Sequence, residues 1–169
     1  MKLTLHPVLF KLTLALSFAV FLRGQATAPR SVLATTESRF ELTPGDATLP
    51  LKPRSGVALK KQLDALPPSR QLYLVVSGLQ ASTPPGVLYA LYLEPSGTQT
   101  PSASARAGYL NFYAVSAGAK SPPVSFEVTS IIRALLAAKP DLSGLQVRIV
   151  PADHPQSNPS IGNIELIAD

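Results

Sequence analysis

From about residue 46 to the C-terminus, short apolar runs alternate with clusters of proline, glycine and serine, and this alternation limits what the chain can fold into. The chain contains 17 prolines and 10 glycines in 169 residues. Proline interrupts both helices and central strands, so few segments can extend beyond one short element. The pattern is typical of many short strands joined by irregular loops, and it shows no alternation of strands with long helices.

Several runs have the patterns expected of β-strands. Residues 124–129 (VSFEVT) and 145–149 (LQVRI) alternate with a period of two, which predicts one apolar face and one solvated face for each strand. Residues 72–76, 87–93 and 109–115 are apolar on both faces, the last less uniformly. Such strands are expected in the middle of a packed sheet or beneath another layer.

The two ends of the predicted domain are less regular. Residues 161–167 predict a closing strand with Ile164 and Leu166 pointing inward, and residues 47–51 predict an opening strand. The segment 57–66 (VALKKQLDAL) fits either a short helix or an interrupted strand, and we favour an extended segment.

One helix is predicted after the strand at 124–129. Thr129 or Ser130 can cap its start, Pro140 ends it after Lys139, and an apolar stripe runs between them at helical spacing: Ile131, Ile132, Leu135 and Leu136. We therefore predict an all-β fold, an antiparallel β-sandwich or barrel of about seven to eight strands with one short helix, over residues 46–169.

The N-terminus has the organisation of an export signal. Lys2 and Lys11 precede an uncharged apolar run at 12–22, and small residues follow Arg23. We predict a signal peptide over residues 1–26, with an uncleaved anchor as the alternative, and a secreted or periplasmic protein without an integral membrane span after cleavage. Residues 27–45 are polar and are interpreted as a lead or linker.

The composition of the remaining chain argues against several function classes. Removal of residues 1–26 leaves 12 basic residues against 10 acidic residues, and the positive charges are scattered, so we predict no nucleic-acid partner. The chain has no cysteine, and His154 is the only histidine left, so we predict no metal site and no cofactor. The sequence also contains no nucleophile elbow and no phosphate-binding loop, and we assign no catalytic residue.

Aromatic side chains are concentrated in two neighbouring runs. They are Tyr89, Tyr92, Tyr109, Phe112 and Tyr113. We predict that these aromatic side chains pack in the core, and the alternative is that they form a surface for contact with a ligand or partner. The loop at 94–107 is long enough to be mobile or to carry a contact.

The succession of apolar runs resembles a known domain. The segments are GVLYALYLEP (86–95), GYLNFYAV (108–115), VSFEVTSIIRAL (124–135), LQVRIVP (145–151) and PSIGNIELI (159–167). In order and spacing they are similar to the C-terminal β-domain that follows the dicopper catalytic domain in bacterial tyrosinases and plant polyphenol oxidases. Each motif is short and degenerate, and the resemblance lies in their order.

The resemblance implies a function that involves no catalysis by this chain. In the family this domain packs over the catalytic domain, and one of its bulky side chains can occupy the entrance to the copper site. The histidines that bind copper are missing here, and Glu94 and Glu127 replace the family's usual Asn and Asp. We therefore expect a free-standing, non-enzymatic relative that acts by protein contact on a separate copper oxidase of the tyrosinase type. Tyr92, Leu93 and Glu94 form the candidate contact surface.

Two other functions stay open from the residues alone. A carbohydrate- or envelope-binding module is the runner-up, and a shallow groove lined by exposed tyrosines would favour it. A convex apolar patch near residues 92–95 would favour a protein partner. An enzyme ranks third, and clustering of Asp153, His154 and a second carboxylate in one pocket would support it.

Overall fold

The computed structural model describes residues 29–113, 115, 121–139 and 141–169. The predicted signal peptide (1–26) and Pro140, the predicted end of the helix after residue 129, lie outside these ranges. No helix in the described ranges is long and apolar enough to cross a membrane. The strands are β1 (Ser31–Thr35), β2 (Phe40–Glu41), β3 (Ala47–Pro53), β4 (Leu72–Ser77), β5 (Tyr89–Pro95), β6 (Arg106–Leu110), β7 (Val124–Glu127), β8 (Leu145–Pro151), β9 (Ser160–Ile161) and β10 (Asn163–Ala168); the helices are α1 (Leu59–Asp64) and α2 (Thr129–Ala138), with a 3-10 turn at Ala103–Ala105.

Eight of these strands form one antiparallel sheet. Its order is β6-β5-β8-β3-β1-β10-β4-β7, and β2 pairs separately with β9. The sheet curls until its two edge strands, β6 and β7, approach each other. The predicted all-β antiparallel fold is confirmed, in the form of a barrel that is nearly closed.

A glycine and a phenylalanine close the seam between the edge strands. A Cβ atom built on Gly108 of β6 would lie 2.5 Å from Cδ1 of Phe126 on β7. Real Cβ atoms essentially never come that near to another atom, so the ring fits only against a residue without a side chain. Side-chain packing thus joins β6 to β7 where no backbone pairing is recorded among the described residues.

The barrel interior is filled by the inward side chains of alternating strand positions. Ile164 and Leu166 of β10 are fully buried, as the sequence predicted, and Leu91 and Leu93 of β5 are buried with them in the same core. Alternation along each strand sends every second side chain inward, so the short apolar runs supply one continuous core.

Helix α2 begins at the predicted position but is not capped as predicted. Neither Thr129 nor Ser130 is the N-cap residue, because the helix starts at Thr129 itself. The Thr129 N–H donates to Glu127 Oε1 over 2.8 Å, and Thr129 Oγ1 accepts a hydrogen bond from the Leu72 N–H over 2.8 Å. Glu127 therefore accepts a hydrogen bond from the first N–H of the helix, Val128 is the N-cap residue, and Thr129 ties the helix to β4.

Two segments differ from the sequence-based interpretation. Residues 31–35, within the proposed polar lead, form β1, which lies between β3 and β10, and Ala34 is fully buried there. The sheet thus opens at Ser31 and not at residue 47. The segment that we favoured as extended contains helix α1, because Leu59 and Leu63, four residues apart, bury one helical face.

Candidate contact surface

The three residues of the candidate contact surface differ in exposure. Tyr92 points outward from β5 and is half-buried. Leu93 points into the core and has no exposed surface, and Glu94 points outward but is only 1% exposed. Of the three, Tyr92 alone has a side chain that another protein can contact without a rearrangement.

Glu94 is buried in an ion pair on the outer face of the barrel. Arg148 of β8 donates from Nε to Glu94 Oε2 over 3.1 Å, and its Nη1 lies 3.8 Å from Asp46 Oδ2. Arg148 is 8% exposed and its neighbour Gln146 is 6% exposed. The sequence predicted a solvated polar face for residues 145–149, and that prediction is wrong because another segment covers this face.

The covering segment is the first part of the 94–107 loop. Gln146 Oε1 accepts a hydrogen bond from the Gly97 N–H over 2.9 Å, and Gln146 Nε2 donates to the Thr98 carbonyl over 3.0 Å. Arg148 Nη2 donates to the same Thr98 carbonyl. Polar side chains of β8 thus hold the loop against the sheet, and the loop covers the outer face of β8.

A different surface is formed where β5 and β6 pair. Tyr92 is opposite Arg106, and Ala90 is opposite Tyr109, in the antiparallel register of these strands. Arg106 and Tyr109 are exposed. Ala90 lies on β5, between β6 and β8, and has a small side chain. We call the outward side chains of Tyr92, Arg106 and Tyr109 the tyrosine face.

The tyrosine face combines an aromatic surface with a positive charge. The Arg106 guanidinium lies 5.1 Å from the centre of the Tyr109 ring, within cation–π range. Tyr109 is 46% exposed although its side chain is large. Tyrosine and arginine are enriched at the centres of protein interfaces, because both provide large contact areas together with hydrogen-bond donors.

The other aromatic residues of the two runs divide between core and surface. Tyr89 and Phe112 are fully buried and pack edge to face with ring centres 5.4 Å apart. Burial raises the pKa of the Tyr89 hydroxyl, which has no hydrogen-bond partner among the described residues. Tyr113 is 59% exposed. The prediction of core packing is therefore confirmed for Tyr89 and Phe112. Tyr109 and Tyr113 are exposed and are accessible to a partner.

Arg106 was not identified as a site residue from the sequence. It stands in a segment (94–107) that is rich in serine, alanine and proline and was interpreted as a loop. Its position depends on a shift of register in the β5–β6 pair between Leu91 and Tyr92, which places Arg106 opposite Tyr92. No local pattern reports such an irregularity.

The residues considered for other functions are not assembled into a site in the described part of the chain. The His154 N–H donates to Asp153 Oδ1 over 2.7 Å, and both residues are exposed in the loop after β8. No group of three or more His, Cys, Asp and Glu residues suited to a metal ion occurs within the described ranges. Four grooves along the described residues contain no tyrosine in their linings.

No protein-family model and no curated protein matches the sequence. Solved structures that match include a recombinant latent aurone synthase, a polyphenol oxidase, with a TM-score of 0.47 and 14% identity over 76% of this chain and 25% of that one. A latent apple tyrosinase matches with a TM-score of 0.42 and 15% identity over 80% of this chain and 27% of its own. Both belong to the protein class that the sequence resemblance names, and this chain spans about a quarter of their length.

Proposed function

We propose that this chain is an exported, non-enzymatic β-domain that acts by contact with a separate protein, a copper oxidase of the tyrosinase type. The order of the sequence motifs supports the choice of partner. The tyrosine face supports action by protein contact, because it presents two tyrosines and an arginine on the surface of two paired strands.

The tyrosine face suits a protein partner better than a sugar chain. Its side chains stand on the outer side of a barrel, and the four described grooves have no tyrosine in their linings. Small-ligand sites are concave, whereas protein interfaces are broad and use tyrosine and arginine as anchors. We accordingly place the centre of contact at Tyr109 and Arg106, with Tyr92 beside them.

A free-standing shielding domain needs its own affinity for the enzyme. A domain linked to its catalytic partner benefits from a high effective concentration, and a separate domain does not. Rigid aromatic anchors provide affinity because little side-chain freedom is lost when they bind. Pairing of β5 with both β6 and β8 holds the backbone of the tyrosine face in place.

The test uses the purified chain and the tyrosinase-type copper oxidase secreted by the same organism. We expect the chain to bind this enzyme and to lower its rate of diphenol oxidation. Tyr109→Ala should weaken binding about tenfold or more, as expected for a central interface tyrosine. Tyr73→Ala is the matched control, because Tyr73 is a partly exposed tyrosine on β4, outside the tyrosine face.

Three results would contradict the proposal. The first is an oxidation rate that does not change when the chain is added in excess. The second is equal weakening of binding by the Tyr109 and Tyr73 variants, which would place the contact elsewhere. The third is retention of polysaccharide or envelope material in place of the oxidase, which would replace the proposal with an envelope-binding module.

A further inference from the structure

We propose that a groove between α2 and the loop before β6 binds a small neutral molecule with an apolar body and one hydroxyl group, which donates a hydrogen bond to Glu94. This site is separate from the tyrosine face. Its apolar lining comes from three parts of the fold: Pro95 at the end of β5, Ala105 in the 3-10 turn, and Ile131, Ala134 and Leu135 on α2.

The size of the groove limits the ligand to about one ring. Its volume is about 220 Å³, which is below the roughly 300–1,000 Å³ of pockets for drug-sized ligands. Most of the surface that it offers is apolar, so the hydrophobic effect favours an apolar body there. A single substituted ring or a short branched alcohol meets both conditions.

Glu94 provides the polar contact. It lines the groove and is 1% exposed, and its Oε1 atom is itself buried and has no hydrogen-bond partner among the described residues. A ligand therefore reaches Oε1 only when the side chains that cover this atom move. The other oxygen, Oε2, accepts the bond from Arg148. A buried acceptor without a partner is unfavourable, so a ligand that donates a hydrogen bond to Oε1 gains free energy while the ion pair stays intact.

The surrounding charges favour a neutral donor over an amine. Arg148 offsets the negative charge of Glu94, Asp46 lies 3.8 Å from Arg148, and Lys139 lines the groove. The two negative and two positive groups cancel, so a cationic ligand would lose its hydration shell without a net gain in charge pairing. A hydroxyl group donates the same hydrogen bond at a lower desolvation cost.

The probes are phenol and benzene, which differ only in the hydroxyl group, titrated into the full chain labelled with nitrogen-15. We expect phenol to shift the backbone amide signals of Ile131, Ala134 and Leu135. A hydrogen bond to a carboxylate should make phenol bind at least about fivefold more tightly than benzene. Ala134→Trp should abolish binding, since Ala134 is an exposed helix residue in the lining. Ala137→Trp, on the same helix and outside that lining, is the matched control and should leave binding unchanged.

The proposal is overturned by equal affinity for phenol and benzene, by shifts confined to residues outside the groove, or by the absence of shifts at millimolar phenol. If Ala134→Trp fails to fold, the comparison of phenol with benzene on the unaltered chain still decides. Tyr109 does not line the groove, so Tyr109→Ala should leave phenol binding unchanged. Phenol binding therefore tests this proposal independently of oxidase binding, which tests the proposed function.

Discussion

Arg148 Nε donates a hydrogen bond to Glu94 Oε2 over 3.1 Å, and the two side chains lie buried on the outer side of strands β8 and β5. The outer face of this part of the barrel is therefore buried as well. The loop at 96–104 covers it, and Gln146 and Arg148 hold that loop through the Thr98 carbonyl.

Arg148→Met should lower the free energy of unfolding by about 3–5 kcal/mol, because it leaves the Glu94 carboxylate buried without a cation. The double variant Glu94→Leu/Arg148→Met should recover much of this loss, since no charge is then buried. Urea denaturation measures both. Lys52→Met, which breaks an exposed pair with Glu37, is the control and should cost under about 1 kcal/mol. A small effect of Arg148→Met would contradict the expectation that Glu94 is left as a buried carboxylate without a compensating charge.

Gln146→Met should release the covering loop while leaving the barrel folded. The change removes the acceptor for the Gly97 N–H and the donor to the Thr98 carbonyl. Loss of such bonds should speed hydrogen exchange at the Gly97 amide roughly tenfold. Exchange followed by NMR measures this, with the exposed Gln71→Met as the control. Unchanged exchange at Gly97 would mean that other contacts hold the loop.

Gly108→Ala should destabilise the protein by about 1–3 kcal/mol, because its Cβ collides with the Phe126 ring at the seam. Gly45→Ala is the control and should be close to neutral, since an added Cβ there meets nothing within 4 Å. Adding Phe126→Leu to Gly108→Ala should relieve the collision. Thermal unfolding of the four proteins checks the expectation, and equal stability of the two glycine variants would refute the seam contact.

Thr129→Val should cost about 1–3 kcal/mol of unfolding free energy. Valine has nearly the same shape as threonine, but it leaves the buried Leu72 N–H without its acceptor. Ser130→Ala changes the exposed neighbour on the same helix turn and should have a much smaller effect. Chemical denaturation of both variants provides the comparison, and similar losses would argue against a special role for Thr129.

Tyr89→Phe should keep or raise stability at neutral pH, because it removes a buried hydroxyl without a partner. Burial raises the folded-state pKa of Tyr89 above its ordinary value of 10.0. The unfolded chain therefore ionises first, and stability falls as the pH rises above about 10. The Phe variant should lose less stability over that range. Urea midpoints at pH 8 and pH 10.5 test this, and identical pH dependence would contradict it.

The sequence predicted those strands and helices in which the spacing of the apolar residues is regular. The closing run at 161–167 correctly predicted that Ile164 and Leu166 point inward, and the apolar stripe after residue 129 correctly predicted α2. The segment 57–66 left helix and strand open because its spacing fits both, and burial of Leu59 and Leu63 decided for a helix. Residues 31–35 (SVLAT) are a short run within a segment interpreted as polar, and their pairing with β3 and β10 shows that they form a strand.

By itself the sequence determined the antiparallel all-β class, the core positions of the regular strands and the helix after β7, because strand alternation and helical spacing are local properties. The tertiary structure alone decided that Glu94 and Arg148 are buried and that Tyr92, Arg106 and Tyr109 share one face. Alternation reports which side chains point the same way, but it does not report what covers them. The cover comes from residues about 50 positions apart in sequence, which meet only when the barrel forms.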